Sequence, residues 1–325
     1  MQWVTLLASP RTTLVALVLL VIAVALIALE AISPTLALAP VVFLLIVNLS
    51  VAIFVTDKIR HNTALLVFHL ALLAIMLLAV TSRLSYLKGW LKLAEGEAFA
   101  ELSGILHQGP LHPGTIEGIE LVQGPIKIEV QGMKRRRTYS EVSIGDDNNN
   151  DSSRAAPMVI SDQQGLTRNG YHLTLSRHHG FAPVFLWQQQ GIRSLGVIKL
   201  PSFPYNPYGQ ALSWTLPGTG TELWLQLQLD DKPISSGLFT VPKTHKLIIR
   251  TDDQRYEVRP GDTLTLANGQ LTYRELRQWI GYEVFYDWTM PWLLVSCLAA
   301  IVSLVLFLIQ KWASTPWNTS PDCER

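Results

Sequence analysis

The stretch Thr63-Ala64-Leu65-Leu66-Val67-Phe68-His69-Leu70-Ala71-Leu72-Leu73-Ala74-Ile75-Met76-Leu77-Leu78-Ala79-Val80 decides how this chain is read. It contains no Asp, Glu, Lys or Arg, and it is as long as the roughly 18 apolar residues that one helical crossing of a bilayer needs. One member is out of character. His69 is ionisable, and an ionisable group at bilayer depth is rare, normally faces a bundle interior, and points to function. Imidazole is neutral at pH 7 yet can ligate a metal or carry a proton. The competing reading is a histidine that hydrogen-bonds a neighbouring helix and acts only as interhelical glue.

Outward from this run, residues 12–32, 35–55 and 291–309 have the same apolar character. The averages, 49% apolar and 16% charged, conceal lipid-like ends around a polar middle. The expectation is a membrane protein with four transmembrane α-helices, three N-terminal and one C-terminal, around a large exported all-β domain. In ranges, 1–81 holds three helices, 82–289 is an extracytoplasmic β-rich domain, 290–312 is the fourth helix and 313–325 a cytoplasmic tail. The first run resembles a signal peptide, but it flows through Ser33-Pro34 into a second span without a convincing cleavage site and reads as a retained anchor. Thr289 and Pro291 supply start chemistry for the last helix, and Trp90, Trp288, Trp292, Trp312 and Trp317 mark an interfacial belt.

Four spans put both ends of the chain on one side. Arg11, the turn Asp57-Lys58-Ile59-Arg60-His61 and Lys311 make that side cytoplasmic by the positive-inside rule. Arg83, Lys88 and Lys92 argue the other way but open a long domain, which largely escapes the rule. The β-rich domain is therefore expected to be periplasmic or extracellular.

Within it, short alternating segments separated by turn residues read as strands at 114–122, 126–130, 139–144, 171–176, 195–200, 222–229, 246–250, 256–258, 270–274 and 279–286, consistent with a sandwich or open barrel. The polar segment 145–154 reads as a mobile loop without the ligand spacing of a calcium site. The chain has 2 cysteines, Cys297 and Cys323, so the exported domain has neither a disulfide nor thiol chemistry of its own. A net charge of +1 gives no case for nucleic acid. Lys134-Arg135-Arg136-Arg137 reads as a solvated hairpin end rather than a phosphate or lipid site. His107, His112, His172, His178, His179 and His245 read as exposed or packing residues, because neighbours such as His178 and His179 point to opposite faces of a strand.

Asn48 lies in the second span about as deep as His69 in the antiparallel third, each about 10 Å in at 1.5 Å per residue. A metal-ligating imidazole normally has its other nitrogen held by a hydrogen-bond partner, and an amide at matching depth suits that role. Asn48 is thus a candidate to orient His69.

Asn48-Leu49, the basic turn, Phe68-His69-Leu70, Tyr86-Leu87-Lys88-Gly89-Trp90, Leu93-Ala94-Glu95-Gly96-Glu97 and, at the far end, Gly281-Tyr282-Glu283-Val284-Phe285-Tyr286-Asp287 with Pro291-Trp292 together resemble the ResB (CcsB) family of cytochrome c biogenesis proteins. The resemblance implies a subunit of the machinery that carries haem across the bacterial inner membrane and attaches it to apocytochrome c. It implies that His69 is an axial ligand of the iron of a haem b bound transiently and shared with a CcsA/ResC-like multi-span partner. That partner would hold the second ligand and most of the haem lyase chemistry, so this chain is not itself an enzyme. Thiol-reducing proteins would act indirectly, on the client cysteines. Departures exist: the Gly-Thr-x-x-Pro-Gln stretch common after the family's first span is replaced by Glu30-Ala31-Ile32-Ser33-Pro34, and the exported domain is short. The alternative is a cofactor-free, membrane-anchored envelope assembly or sensory protein.

Overall fold

Ser9 and Pro10 open the first helix. The Ser9 hydroxyl accepts from the Arg11 amide at 3.2 Å, and Pro10 stands where its missing N–H costs nothing, so α1 runs Pro10–Ala28. It stops at Ala28 rather than 32. Glu30 adopts a left-handed φ of 54°, with the Ala31 amide on the Leu26 carbonyl at 3.0 Å and the Glu30 amide on that of Ile27 at 2.9 Å. This closes the last carbonyls in a turn that usually takes glycine, which is why an apolar run ending in Leu-Glu-Ala did not announce it. The remaining helices are α2 (Pro34–Val55, with Pro40 inside it), the short α3 (Asp57–His61) within the basic turn, α4 (Thr63–Ser85) and α5 (Met290–Ala313). Asn62 caps α4, its side-chain oxygen accepting from the Leu65 amide at 3.0 Å.

The computed structural model describes residues 9–32, 34–116, 119–132, 134–144, 157–203, 209–230, 234–235, 237–251 and 254–313. The expected loop at 145–154 and most of the expected tail at 313–325 lie outside them. Four helices, α1, α2, α4 and α5, are long and apolar enough to cross a membrane. Side chains such as Val21, Phe54, Leu294 and Ile301 stand more than half exposed on them. Water would penalise such faces and lipid would not.

The chain divides into a helical unit, Met1–Ser85 with Asp287–Arg325, and a β unit, Tyr86–Tyr286. In the helical unit the end of α4 is tied to the start of α5 through Asp287. This buried carboxylate accepts from the Ser82 hydroxyl at 2.7 Å, the Thr289 amide at 2.9 Å and the Thr289 hydroxyl at 2.7 Å. Beside it the Trp288 indole donates to the Ser85 hydroxyl at 3.0 Å.

The β unit is built from antiparallel sheets. A 7-stranded sheet has the order β2 (Gly104–Gln108), β1 (Leu87–Ala94), β16 (Gly269–Tyr286), β7 (Tyr171–Gln189), β6 (Leu166–Arg168), with β15 (Thr263–Leu266) also on β16 and β8 (Ile192–Val197) also on β7. A 4-stranded sheet runs β14 (Arg255–Val258), β13 (His245–Arg250), β10 (Glu222–Leu229), β9 (Gln210–Thr215). A 5-stranded sheet runs β11 (Ile234–Ser235), β12 (Leu238–Phe239), β3 (Leu121–Gln131), β4 (Lys134–Ile144), β5 (Pro157–Ser161). Leu91, Ile128, Phe181, Leu225 and Ile249, drawn from all three sheets, share one hydrophobic core.

The spine is the pair β7 and β16, 19 and 18 residues long. Both were expected as shorter pieces, at 171–176 and at 270–274 with 279–286. Pairing continues through two irregularities instead, one between Tyr273 and Glu275 and one between Ile280 and Tyr282. Each shifts the inward-outward alternation, so an unbroken strand reads as separate ones. At the second, Ser176-Arg177-His178 bulge opposite Gly281, where a Cβ would lie 2.3 Å from the Ser176 hydroxyl oxygen. Any side chain there would require the Ser176 hydroxyl to move aside. The strand expected at 114–122 is corrected too. Among the described residues ladder pairing starts at Leu121, and Gly114 stands in a turn at a φ of 85°.

Candidate functional site

His69 occupies the second turn of α4 and is half-buried. Its Nδ1 lies 2.7 Å from the Leu65 carbonyl oxygen, one turn earlier on the same helix. A carbonyl only accepts, so in the neutral ring Nδ1 carries the hydrogen and Nε2 keeps the lone pair. Backbone carbonyls commonly orient metal-binding imidazoles in this way. The Phe68 ring sits edge-on with its centroid 5.5 Å from that of His69. Such a nitrogen could supply a single ligand to a metal ion.

Asn48 is buried on α2, and its side-chain oxygen accepts the Thr13 hydroxyl of α1 at 2.8 Å. Its oxygen thus ties the first span to the second, and the ring nitrogen of His69 that needs a partner takes the backbone. Neither arrangement was legible from matched depth alone. A side chain that reaches its own preceding turn leaves no mark in the spacing of residues.

The other motif residues behave as joints. Gly96 lies at a φ of 76° in the turn after β1, donating to the Gln123 carbonyl at 2.8 Å. Glu97 accepts from the Ala94 amide at 2.8 Å and pairs with Lys199. Glu95 accepts from the Ile126 amide at 2.9 Å, and burial raises its carboxyl above the ordinary range. The Tyr282 hydroxyl donates to the Gln123 side-chain oxygen at 2.5 Å, the Gln123 nitrogen donates to the Ser140 hydroxyl at 2.7 Å, and that hydroxyl lies 2.6 Å from Tyr282, closing a ring. Burial pushes the Tyr282 phenol up to about 12. Each group in the ring is satisfied, so it joins two sheets without leaving a buried polar atom exposed to cost.

In the basic run Arg135 is held, donating to the Ser176 carbonyl at 2.6 Å and pairing with Asp162, whereas Lys134, Arg136 and Arg137 are exposed. Of the histidines in the β unit, His107 and His178 are exposed and His172 is half-buried. His112, His179 and His245 are buried. His112 accepts from the Gly114 amide at 3.0 Å, and His245 bridges the Pro242 carbonyl at 3.1 Å and the Tyr273 hydroxyl at 2.9 Å. His179 packs edge-on against Phe239, and burial pushes it down to about 4. Among the described residues no group of three or more His, Cys, Asp or Glu is placed to hold a metal ion.

No family model and no curated protein matches the chain. Its structure is similar to that of a cytochrome c haem lyase, CcmF, with a TM-score of 0.30 and 10% sequence identity, over 91% of this chain and 34% of that one. The chain thus spans about a third of that protein's length, and the likeness is weak.

Proposed function

We propose that the protein is a ResB-like, haem-handling subunit of a cytochrome c assembly complex and that His69 supplies one axial ligand through Nε2. The observation that carries this reading is the orientation of His69: an imidazole about 10 Å into an apolar helix, its Nδ1 held by the Leu65 carbonyl at 2.7 Å. A haem would contribute an iron of the right hardness for that nitrogen. The chain's own residues do the rest. Leu65 fixes the ring, Phe68 packs beside it, and the apolar helix faces exclude water.

The second ligand and the lyase step belong, in this proposal, to a CcsA/ResC-like multi-span partner. Forming the thioether needs reduced cysteines on the client, which thiol-reducing proteins would provide. The β unit, placed outside the cytoplasmic membrane, would engage that partner or the apocytochrome.

Visible spectroscopy of the purified complex tests the proposal, with wild type expected to show a low-spin haem spectrum. His69→Ala should lose the haem or leave an open coordination position, and added imidazole should partly restore it. A His69→Ala complex with an unchanged spectrum and normal cytochrome c maturation would make His69 structural. A wild-type complex without haem would favour a cofactor-free assembly protein.

A further inference from the structure

One end of the 7-stranded sheet is marked by the connectivity of the chain. β1 starts at Leu87, shortly after Ser85 closes α4, and β16 stops at Tyr286, next to Asp287. Register then says what else lies at that end. Leu87 pairs with Gln108 of β2 and with Tyr286, and Tyr286 pairs with Tyr171 of β7. The turn after β2 and the turn between β6 and β7 therefore belong to the same rim of the β unit.

The turn after β2 is pinned on both sides and holds one apolar side chain out. The Gly109 amide donates to the Tyr86 carbonyl at 2.8 Å and the His112 amide to the Gly109 carbonyl at 3.1 Å, which puts Pro110 and Leu111 at the two corners of a β-turn. Proline presets the first corner. His112 anchors the far side: it is buried, its Nδ1 accepts from the Gly114 amide at 3.0 Å, and its ring packs edge-on against Tyr286 with centroids 4.9 Å apart. Leu111 at the tip is 69% exposed, and Leu106, behind it on the edge strand, is 53% exposed. Anchors of this kind keep the leucine away from the core.

Charge and reach say what the tip would meet. Residues 86–88, 107–115, 168–172 and 285–286 include Lys88 and Arg168 but no Asp or Glu. Half-buried Tyr86 and Tyr286 add the amphipathic rings that settle at headgroup level. A basic rim with tyrosines and a protruding leucine suits a phospholipid surface. A helix of 23 residues such as α4 is about 35 Å long against about 30 Å of hydrocarbon, so a span of that length ends among headgroups. Tyr86 is the next residue after Ser85, and Leu111 lies two residues past the Gly109 that bonds it, within about 15 Å of Ser85 at about 3.6 Å per residue.

We propose that this rim rests on the phospholipid surface, with Leu111 inserted between headgroups and acyl chains. Lipid is the occupant because the turn is bonded to a residue adjoining a span and because the charge of the rim matches phosphate. Leu111 thus adds a foothold to the two points where the chain enters the β unit. The inference rests on the spans and not on His69 or haem.

The test uses the full-length chain with Cys297→Ser and Cys323→Ser, one new cysteine carrying bimane, and vesicles of phosphatidylcholine and phosphatidylglycerol with or without doxyl-labelled lipid. The label is carried in turn by Leu111→Cys, Leu106→Cys and Leu195→Cys. Leu195 is 60% exposed on β8, which pairs with the far end of β7. Doxyl quenching at 111 at least about twofold that at 195, with 106 between them, and the opposite order with aqueous iodide, is expected for a tip in the interface. Thermal melts identify any misfolded variant, and Leu106→Cys carries the comparison with Leu195→Cys should Leu111→Cys fold poorly. Equal doxyl quenching at the tip and at 195, or full iodide access at the tip, would overturn the proposal. So would protection of the tip from both quenchers that is lost on diluting the protein in lipid, since a second copy then covers the leucine. The haem spectrum of the same samples reads the His69 proposal separately.

Discussion

At the scale of single residues, two polar groups in the spans, the half-buried His69 and the buried Asn48, have found partners by different routes. His69 uses its own helix and Asn48 accepts from Thr13 of the preceding one. Asn48→Leu is therefore expected to loosen α1 against α2 by about 1 kcal/mol, the usual worth of a hydrogen bond between spans. Thermal unfolding in detergent would measure it, with the haem spectrum unchanged at full folding. An Asn48→Leu variant that folds normally but loses haem would instead connect this amide to the His69 site. His179 makes a pH prediction. Its pKa is about 4 in the folded β unit against 6.5 when exposed, so the unfolded chain binds the extra proton between those values. Stability from keeping it neutral is complete above about pH 6.5 and falls as the pH drops toward 4, by up to about 3 kcal/mol. His179→Leu should flatten the melting temperature over that window, and an unaltered pH profile would remove His179 as the cause.

Elements are joined here by polar knots more than by length. Asp287 satisfies three donors from two helix ends at once. Asp287→Ala would leave Ser82 and the Thr289 amide without their acceptor and should cost about 1–3 kcal/mol. Limited proteolysis near residue 287 in detergent should become faster, whereas protection equal to wild type would show the knot to be dispensable. The same element-scale logic explains why Gly281-Tyr282 and Leu93 to Glu97 stand out in the sequence. Gly281 lets β7 and β16 approach closely, Gly96 turns the chain at positive φ, Glu97 accepts from the Ala94 amide within that turn, and Tyr282 and Glu95 bond to residues of β3 in another sheet.

For the whole molecule, orientation sets what the β unit can meet. The basic turn at Lys58 and Arg60 and the single Lys311 of α5 fall on one side of the helix ends, so the β unit is expected on the other. A phosphatase fused at Asn149 should be active and a cytoplasmic reporter at the same place silent. The reverse pattern would place the β unit in the cytoplasm and remove the haem-export reading.

The four long helices were readable from composition because a span must bury an unbroken apolar length, a demand local to each segment. The all-β character of the middle was readable for a similar reason, since alternation is a property of neighbouring residues. The helix end at Ala28, the continuous β7 and β16 and the partner of His69 were not. Each depends on which distant or off-period groups meet: a left-handed Glu30, bulges that keep pairing while breaking alternation, and a carbonyl one turn away. Residue order dictates the local periods, whereas partners and cavities follow from packing that no period encodes.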